Sequence, residues 1–221
     1  MMKGLRERER VRDIFGRYVG TEVATKALEE RPELGGEDRE VAVLFVDVIG
    51  STSFAVSHTP EEVVGELNQF FEHVVECVHR NRGIINKFQG DAALAVFGAP
   101  LQLTDANSLA LQAARELREE LKGLALHAGI GVAAGHVVAG HIGGSDRFEY
   151  TVIGDAVNQA ARLTELAKDT PGQILTNAAT LRGANEVERA RWTFLKSIEL
   201  RGRGEMTQLA RPVRATLADR S

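Results

Sequence analysis

Two aspartates stand where chemistry is to be expected. Asp47 closes the apolar run Val41-Ala-Val-Leu-Phe-Val46, and Asp91 lies in the turn between Gly83-Ile-Ile-Asn-Lys-Phe88 and Ala92-Ala-Leu-Ala-Val-Phe97. Each run reads as a buried strand, so both carboxylates are expected at one rim of a sheet. Carboxylate oxygens so placed can hold hard divalent cations beside the phosphates of a substrate. The adjoining backbone at Val48, Ile49, Gly50, Ser51 and Thr52 forms a small-residue turn opening toward a helix, where free N–H groups can cradle phosphate. An aspartate after a strand is commonly only a cap or turn former, and it is the second acid near the same edge that favours a site.

Three further groups carry charge or hydrogen-bonding capacity in suggestive places. Lys87 sits four residues before Asp91 in a strand that otherwise reads apolar, so its charge needs solvent, a partner or a ligand. An exposed lysine and a purine contact are the two readings. Asn158 and Arg162 are four apart on a predicted helix and project from one face. Asparagine there can orient a sugar and arginine can neutralise charge growing on a transferring phosphorus, the plain alternative being a solvated helix face. Arg201-Gly-Arg-Gly204 puts two guanidiniums on a turn after a strand, equally a phosphate grip or an exposed basic turn.

The elements that must position these groups are well punctuated from Val41 onward. Thr59, Pro60 and Glu62 read as an N-cap, a proline at the first helical position and a capping-box acid. Val63, Leu67, Phe70, Phe71, Val74 and Val78 give that helix an apolar face, with Gly83 near its expected stop. Thr104 or Asp105 caps a second long helix through Leu109, Ala113, Leu117 and Leu121. Two strands are expected over Leu126 to Ala133 and His136 to Ile142, separated by a tight turn at Gly135, with a loop at Gly143 to Asp146 and a strand from Glu149 to Ile153. A helix from Asp155 to Ala167, a strand at Ile174 to Thr176, a short helix and a strand from Lys196 to Leu200 complete one α/β domain with mixed strand connections.

Bulk properties narrow the classes. At 221 residues the chain can bury a good core, and its 43% hydrophobic and 26% charged content is that of a soluble globular protein. A net charge of −4 gives no broad electropositive field, which excludes polymeric nucleic acid as the expected partner and leaves small anions bound in a local cationic pocket. The single cysteine, Cys77, excludes an intramolecular disulfide, fits a reducing cytoplasm and is expected to be a half-buried thiol rather than a nucleophile. The six histidines lack metal-ligand spacing, and no apolar run approaches the ~20 residues of a spanning helix. Residues 1–36 differ from the rest: Val11, Ile14, Phe15, Tyr18 and Val19 recur at helical spacing, as a helix packed on its own domain or as a connector from an upstream one.

Taken together, Phe45 to Thr52, Asn86-Lys-Phe-Gln-Gly-Asp91 and Tyr150 to Leu163 resemble, in order and spacing, the catalytic domain of class III nucleotide cyclases, over about Arg39 to Leu217. The resemblance implies a ferredoxin-like, palm-type α/β fold, with a mixed, mainly antiparallel sheet and flanking helices, across residues 37–221. It implies conversion of ATP to 3′,5′-cyclic AMP and pyrophosphate, with Asp47, Asp91 and the Val48 carbonyl holding two Mg²⁺ or Mn²⁺ ions. Asn158 would orient the ribose, Arg162 would stabilise charge at the α-phosphate, and Arg201, or Arg203 in its place, would contact the terminal phosphate. Lys87 falls where such cyclases select the purine and favours adenine N1, an acceptor, over guanine. Thr151 stands at the companion position, where many adenylyl cyclases have aspartate; its hydroxyl can accept from the adenine amino group and can also donate. That threonine looks like a subgroup in which bicarbonate stimulation is a family-level expectation.

The resemblance further implies a head-to-tail homodimer with composite sites: Asp47 and Asp91 from one chain, Lys87, Thr151, Asn158 and Arg162 from the other. Val11 to Val19 then looks like a helical connector, residues 1–36, leading from an upstream sensor, relay or membrane domain into a cytoplasmic catalytic domain. Three other readings stand against this one. A catalytically silent cyclase-like domain would be free to lose at least one of these residues, and all are present. Diguanylate cyclases would show Gly-Gly-Asp/Glu-Glu-Phe at the hairpin, which here reads Gln89-Gly-Asp-Ala-Ala93, and a guanylyl cyclase is disfavoured by Lys87.

Overall fold

The structure, a computed structural model, describes residues 16, 20, 34–144, 146–200 and 204–213. Most of the Val11 to Val19 stripe, together with Arg201 and Arg203, lies outside the described residues. In chain order the elements are β1 (Gly35–Val48), α1 (Ser51–Ser57), α2 (Pro60–Arg80), β2 (Ile84–Gln89), β3 (Ala92–Phe97), α3 (Ala106–Glu120), β4 (Ala128–Gly144), β5 (Arg147–Ile153), α4 (Asp155–Lys168), β6 (Ile174–Asn177), α5 (Ala178–Arg182), α6 (Glu186–Arg189), β7 (Trp192–Glu199) and β8 (Met206–Pro212). The strands form one sheet in the order β2-β3-β1-β4-β6-β8-β7, with β5 paired to the distal part of β4. Among the strands of the described residues only β4 and β6 pair in parallel, as a crossover through α4 requires.

Strand alternation decides which helix covers which face. Ala42, Leu44, Val46 and Val48 of β1 pack with Phe70, Val74, Cys77 and Val78 of α2 and Leu111 and Leu117 of α3. Val41 and Val43 point the other way, toward Ala156, Ala160, Leu163 and Ala167 of α4. Asp47 shares the second parity, so its carboxylate falls on the α4 side of the sheet. The expected capping box is formed: Thr59 Oγ1 accepts from the Glu62 N–H, and the Thr59 N–H donates to the Glu62 carboxylate at 2.8 Å. Cys77 is fully buried, and burial pushes its thiol up to about 12, which makes it inert.

One expectation needs correction, one is refined, and one strand was not expected. No turn interrupts β4 at Gly135: residue pairs run unbroken from Gly35↔His141 to Val48↔Ala128, and Gly135 sits in the ladder opposite Val41. A partner strand of matching length supplies the hydrogen bonds that a glycine in the run would otherwise weaken. Gly83 lies just past the end of α2, as expected, but the left-handed residue there is Arg82, at φ 64°. Gly83 serves close packing instead, since a Cβ there would lie 2.6 Å from the Phe97 ring. The strand β8 carries no strong alternation and was not expected; it pairs with β6 and with β7, and Trp192 at the start of β7 donates to Glu188, which also takes Arg115 of α3.

Two glycines of β4 bring α4 unusually close to the sheet. A Cβ on Gly131 would lie 2.3 Å from the Ala160 carbonyl oxygen, and one on Gly129 would lie 2.5 Å from that of Thr164. At this distance Thr164 Oγ1 reaches the Ala160 carbonyl of its own helix at 2.8 Å and the Phe45 carbonyl at 3.1 Å, so its one hydrogen is shared between α4 and β1. Gly131→Ala should therefore lift α4 off the sheet and cost roughly 1–3 kcal/mol by the usual penalty for overpacking, measured by urea unfolding. An unchanged midpoint would show that the helix can shift without loss.

Candidate active site

The acidic rim forms as the strand pattern requires. The β1–β3 register places Asp47 opposite Ala92, and Asp91 precedes Ala92 in the β2–β3 turn, with Gly90 left-handed at φ 65°. The Asp47 carboxyl is pushed up from its ordinary value by burial, and the neighbouring Asp91 charge adds to that, against the opposing pull of Lys168. Lys168, the last residue of α4, donates to Asp47 Oδ2 at 2.8 Å and to Glu165 at 2.8 Å. The ammonium thus sits on the carboxylate as a cation would. Burial disfavours the charge on Lys168, yet its two carboxylate partners outweigh burial and raise its pKa.

Sequence reasoning singles out neither Lys168 nor Glu165. A lysine ending a helix reads as a partner for the helix dipole, and nothing local points it to Asp47. Among the described residues no cluster of three or more His, Cys, Asp or Glu could cage a metal. Two carboxylates beside a backbone carbonyl instead suit Mg²⁺, which keeps waters and takes its remaining oxygens from substrate phosphates.

After Asp47 the chain turns through Gly50, left-handed at φ 69°, into the seven-residue α1. The Ile49 N–H donates to the His127 carbonyl at 2.7 Å and is unavailable to a phosphate, which leaves the first-turn N–H groups around Ser51 and Thr52.

A second cluster joins β2 to β5. Lys87 donates to Glu149 at 2.6 Å, so its charge has a partner within the chain. Asn86 donates through Nδ2 to the Tyr150 carbonyl at 2.9 Å, and Thr151 Oγ1 donates to Asn86 Oδ1 at 3.2 Å. Lys87 and Thr151, 64 positions apart, are thereby brought to one place. Asn158 is exposed and Arg162 half-buried on α4, and neither has a hydrogen-bond or ion-pair partner among the described residues. Within the chain Asp47 is matched by Lys168, not by Arg162.

A mainly antiparallel sheet with two acids at one rim and α4 packed against it is the frame that the resemblance to nucleotide cyclases leads one to expect. The sequence profile of the family described as Adenylate and Guanylate cyclase catalytic domain matches residues 36–210, and the chain belongs to that family, the class III cyclases. Two uncharacterised proteins of Mycobacterium tuberculosis are 55% and 53% identical over 96% and 98% of the chain, which covers 38% and 40% of their lengths. The chain thus spans about two-fifths of the curated relatives it matches. A bacterial light-regulated adenylyl cyclase superposes with a TM-score of 0.81 at 22% identity, over 95% of this chain and 62% of that one. The adenylyl cyclase CyaB of P. aeruginosa gives 0.75 at 22%, over 83% and 98%. The guanylyl cyclase Cya2 gives 0.68 at 31%, over 80% and 93%.

Removing the Lys168 cation should expose the repulsion at the rim. In chelator-treated protein Lys168→Met should cost about 1–2 kcal/mol, and clearly less in an Asp47→Asn background. Urea unfolding of the four proteins reads the coupling, and additive losses would mean that the pair contributes nothing.

Proposed function

We propose that this domain is an adenylate cyclase that converts ATP to 3′,5′-cyclic AMP and pyrophosphate at composite sites of a homodimer. The observation that carries the reading is the convergence of Asp47 and Asp91 on one rim with a cationic group already seated on Asp47. Asp47, Asp91 and the Val48 carbonyl would hold two Mg²⁺ or Mn²⁺ ions, with Lys168 swinging aside to Glu165. Such ions make the substrate's 3′-hydroxyl more acidic and offset charge on pyrophosphate. In the reaction the 3′-oxygen bonds to the α-phosphorus as its proton leaves, and the bond from the α-phosphorus to the bridging oxygen of pyrophosphate breaks.

The chain's other residues hold the substrate. Asn158 orients the ribose, and Arg162 stabilises the charge that grows on the α-phosphate oxygens. First-turn N–H groups near Ser51 and Thr52 receive phosphate oxygens, and Arg201 takes the terminal phosphate. Lys87 offers a donor to adenine N1. The 31% identity to a guanylyl cyclase makes GTP the second reading; a lysine donor meeting guanine N1–H is what disfavours it.

Two features support a shared site. Arg162 and Asn158 have no partner among the described residues of their own chain. Val138, Ile142 and Ile153 lie on the same face of the β4–β5 hairpin as Thr151 and are 47%, 38% and 55% exposed, an apolar surface for a second copy. Residues 1–36 would connect this unit to an upstream sensor, relay or membrane-anchored domain. Among the described residues no helix is long and apolar enough to cross a membrane.

Incubated at high concentration with Mn²⁺ and either nucleotide, the protein should yield cyclic AMP from ATP, identified by mass spectrometry, and Asp47→Ala should lower the yield at least a hundredfold. Cyclic GMP as the main product would replace ATP by GTP, and no cyclic product from a demonstrated dimer would leave a silent domain. Mixing Asp47→Ala with Arg162→Ala chains should restore activity through one intact site per heterodimer; a mixture as inactive as its parts would refute the shared site.

A further inference from the structure

Asn86 occupies an unusual position in its hairpin. The β2–β3 register runs Ile84↔Val96 and Ile85↔Ala95, then jumps to Lys87↔Leu94, so Asn86 is the extra residue of a β-bulge. A bulge re-aims the side chain of the unpaired residue, and here the amide turns toward β5. Its two ends are distinguished by chemistry. The Tyr150 carbonyl oxygen can only accept, so the group 2.9 Å from it must be the Nδ2 amide, because the reversed amide would set two acceptors against each other. Oδ1 must then face Thr151.

A threonine hydroxyl has one hydrogen and two lone pairs. With Oδ1 at 3.2 Å able only to accept, the Thr151 hydrogen is directed at Asn86 and what remains is acceptor capacity. A free threonine would greet either a 6-amino or a 6-oxo purine by rotating its hydroxyl. One held by Asn86 can satisfy only the amino group, and a 6-oxo oxygen would meet a lone pair. We propose that Asn86 is a positioning residue for purine selection, which makes Thr151 an obligate acceptor and so favours 6-aminopurine nucleotides over 6-oxopurine ones. This assignment deepens the adenylate cyclase reading and rests on it for the base-binding role of Thr151.

The test reads binding separately from turnover. Affinities for 3′-deoxy-ATP and 3′-deoxy-GTP, which lack the hydroxyl that closes the ring, are measured with Mn²⁺ by calorimetry for the wild type, Asn86→Leu, Asn86→Asp, Thr151→Val and the Asn86→Leu/Thr151→Val double variant. Circular dichroism verifies that each is folded. Asn86→Leu frees the hydroxyl and should reduce the preference for the adenine analogue about tenfold, chiefly by tightening the guanine analogue. Asn86→Asp keeps an acceptor toward Thr151 but sets its other oxygen against the Tyr150 carbonyl, so it should weaken both analogues and still leave the adenine analogue the better bound. In the Thr151→Val background Asn86→Leu should leave the ratio unchanged. Equal weakening of both analogues by Asn86→Leu, or a wild type with no adenine preference, would overturn the assignment. A ratio that shifts as expected in a wild type that forms no cyclic product would instead sink the enzymatic reading and leave the role of Asn86 standing.

Discussion

The antiparallel ladder between β1 and β4 is the constraint on which everything else hangs. It runs the full 14 residues of β1, so a single register fixes both ends of the domain at once. At one end it sets Asp47 opposite Gly129; at the other it carries β4 onward into the hairpin with β5, where Glu149 and Thr151 sit. A slip by one residue would turn Asp47 to the α2 and α3 side and bury a charge among Leu44, Val74 and Leu111. Since the apolar side chains of β1 are buried on both faces, the cost of burying Asp47 is what opposes that slip.

The closeness of α4 to the sheet follows from the same ladder. Gly129 and Gly131 have no side chains in the way of the helix backbone, and Thr164 spans the short gap to the Phe45 carbonyl. The helix therefore ends over Asp47, where Lys168 meets the carboxylate. Electrostatics then divides the molecule unevenly. Of the two rim acids, Asp47 is matched within the chain by a lysine that Glu165 also holds, whereas Arg162, two turns back on the same helix, has no partner among the described residues.

Much of this was legible in the residues. Capping boxes, strand alternation and i, i+4 spacing are short-range consequences of backbone geometry, and they located α2, α4 and the β2–β3 hairpin to within a few residues. The failures have the same origin. Gly135 carries a turn-former's composition, but a glycine in a long ladder is held by its partner strand; the strand β8 lacks alternation because its pairing with β6 and β7 decides its state. Lys87 was rightly singled out as a charge in need of a partner, while the identity of that partner, Glu149, could not be read from the hairpin alone.

By itself the sequence determined the family, the two acids at strand ends, and the pairing of Asn158 with Arg162 on one helix face, since each depends on residue type and on spacing within a single element. Only the tertiary structure decided which groups meet: Lys168 with Asp47 across 121 positions, and Asn86 with Thr151 across 65. Those contacts follow from the order in which strands lie side by side and from how closely a helix can approach them. Local spacing carries no record of either.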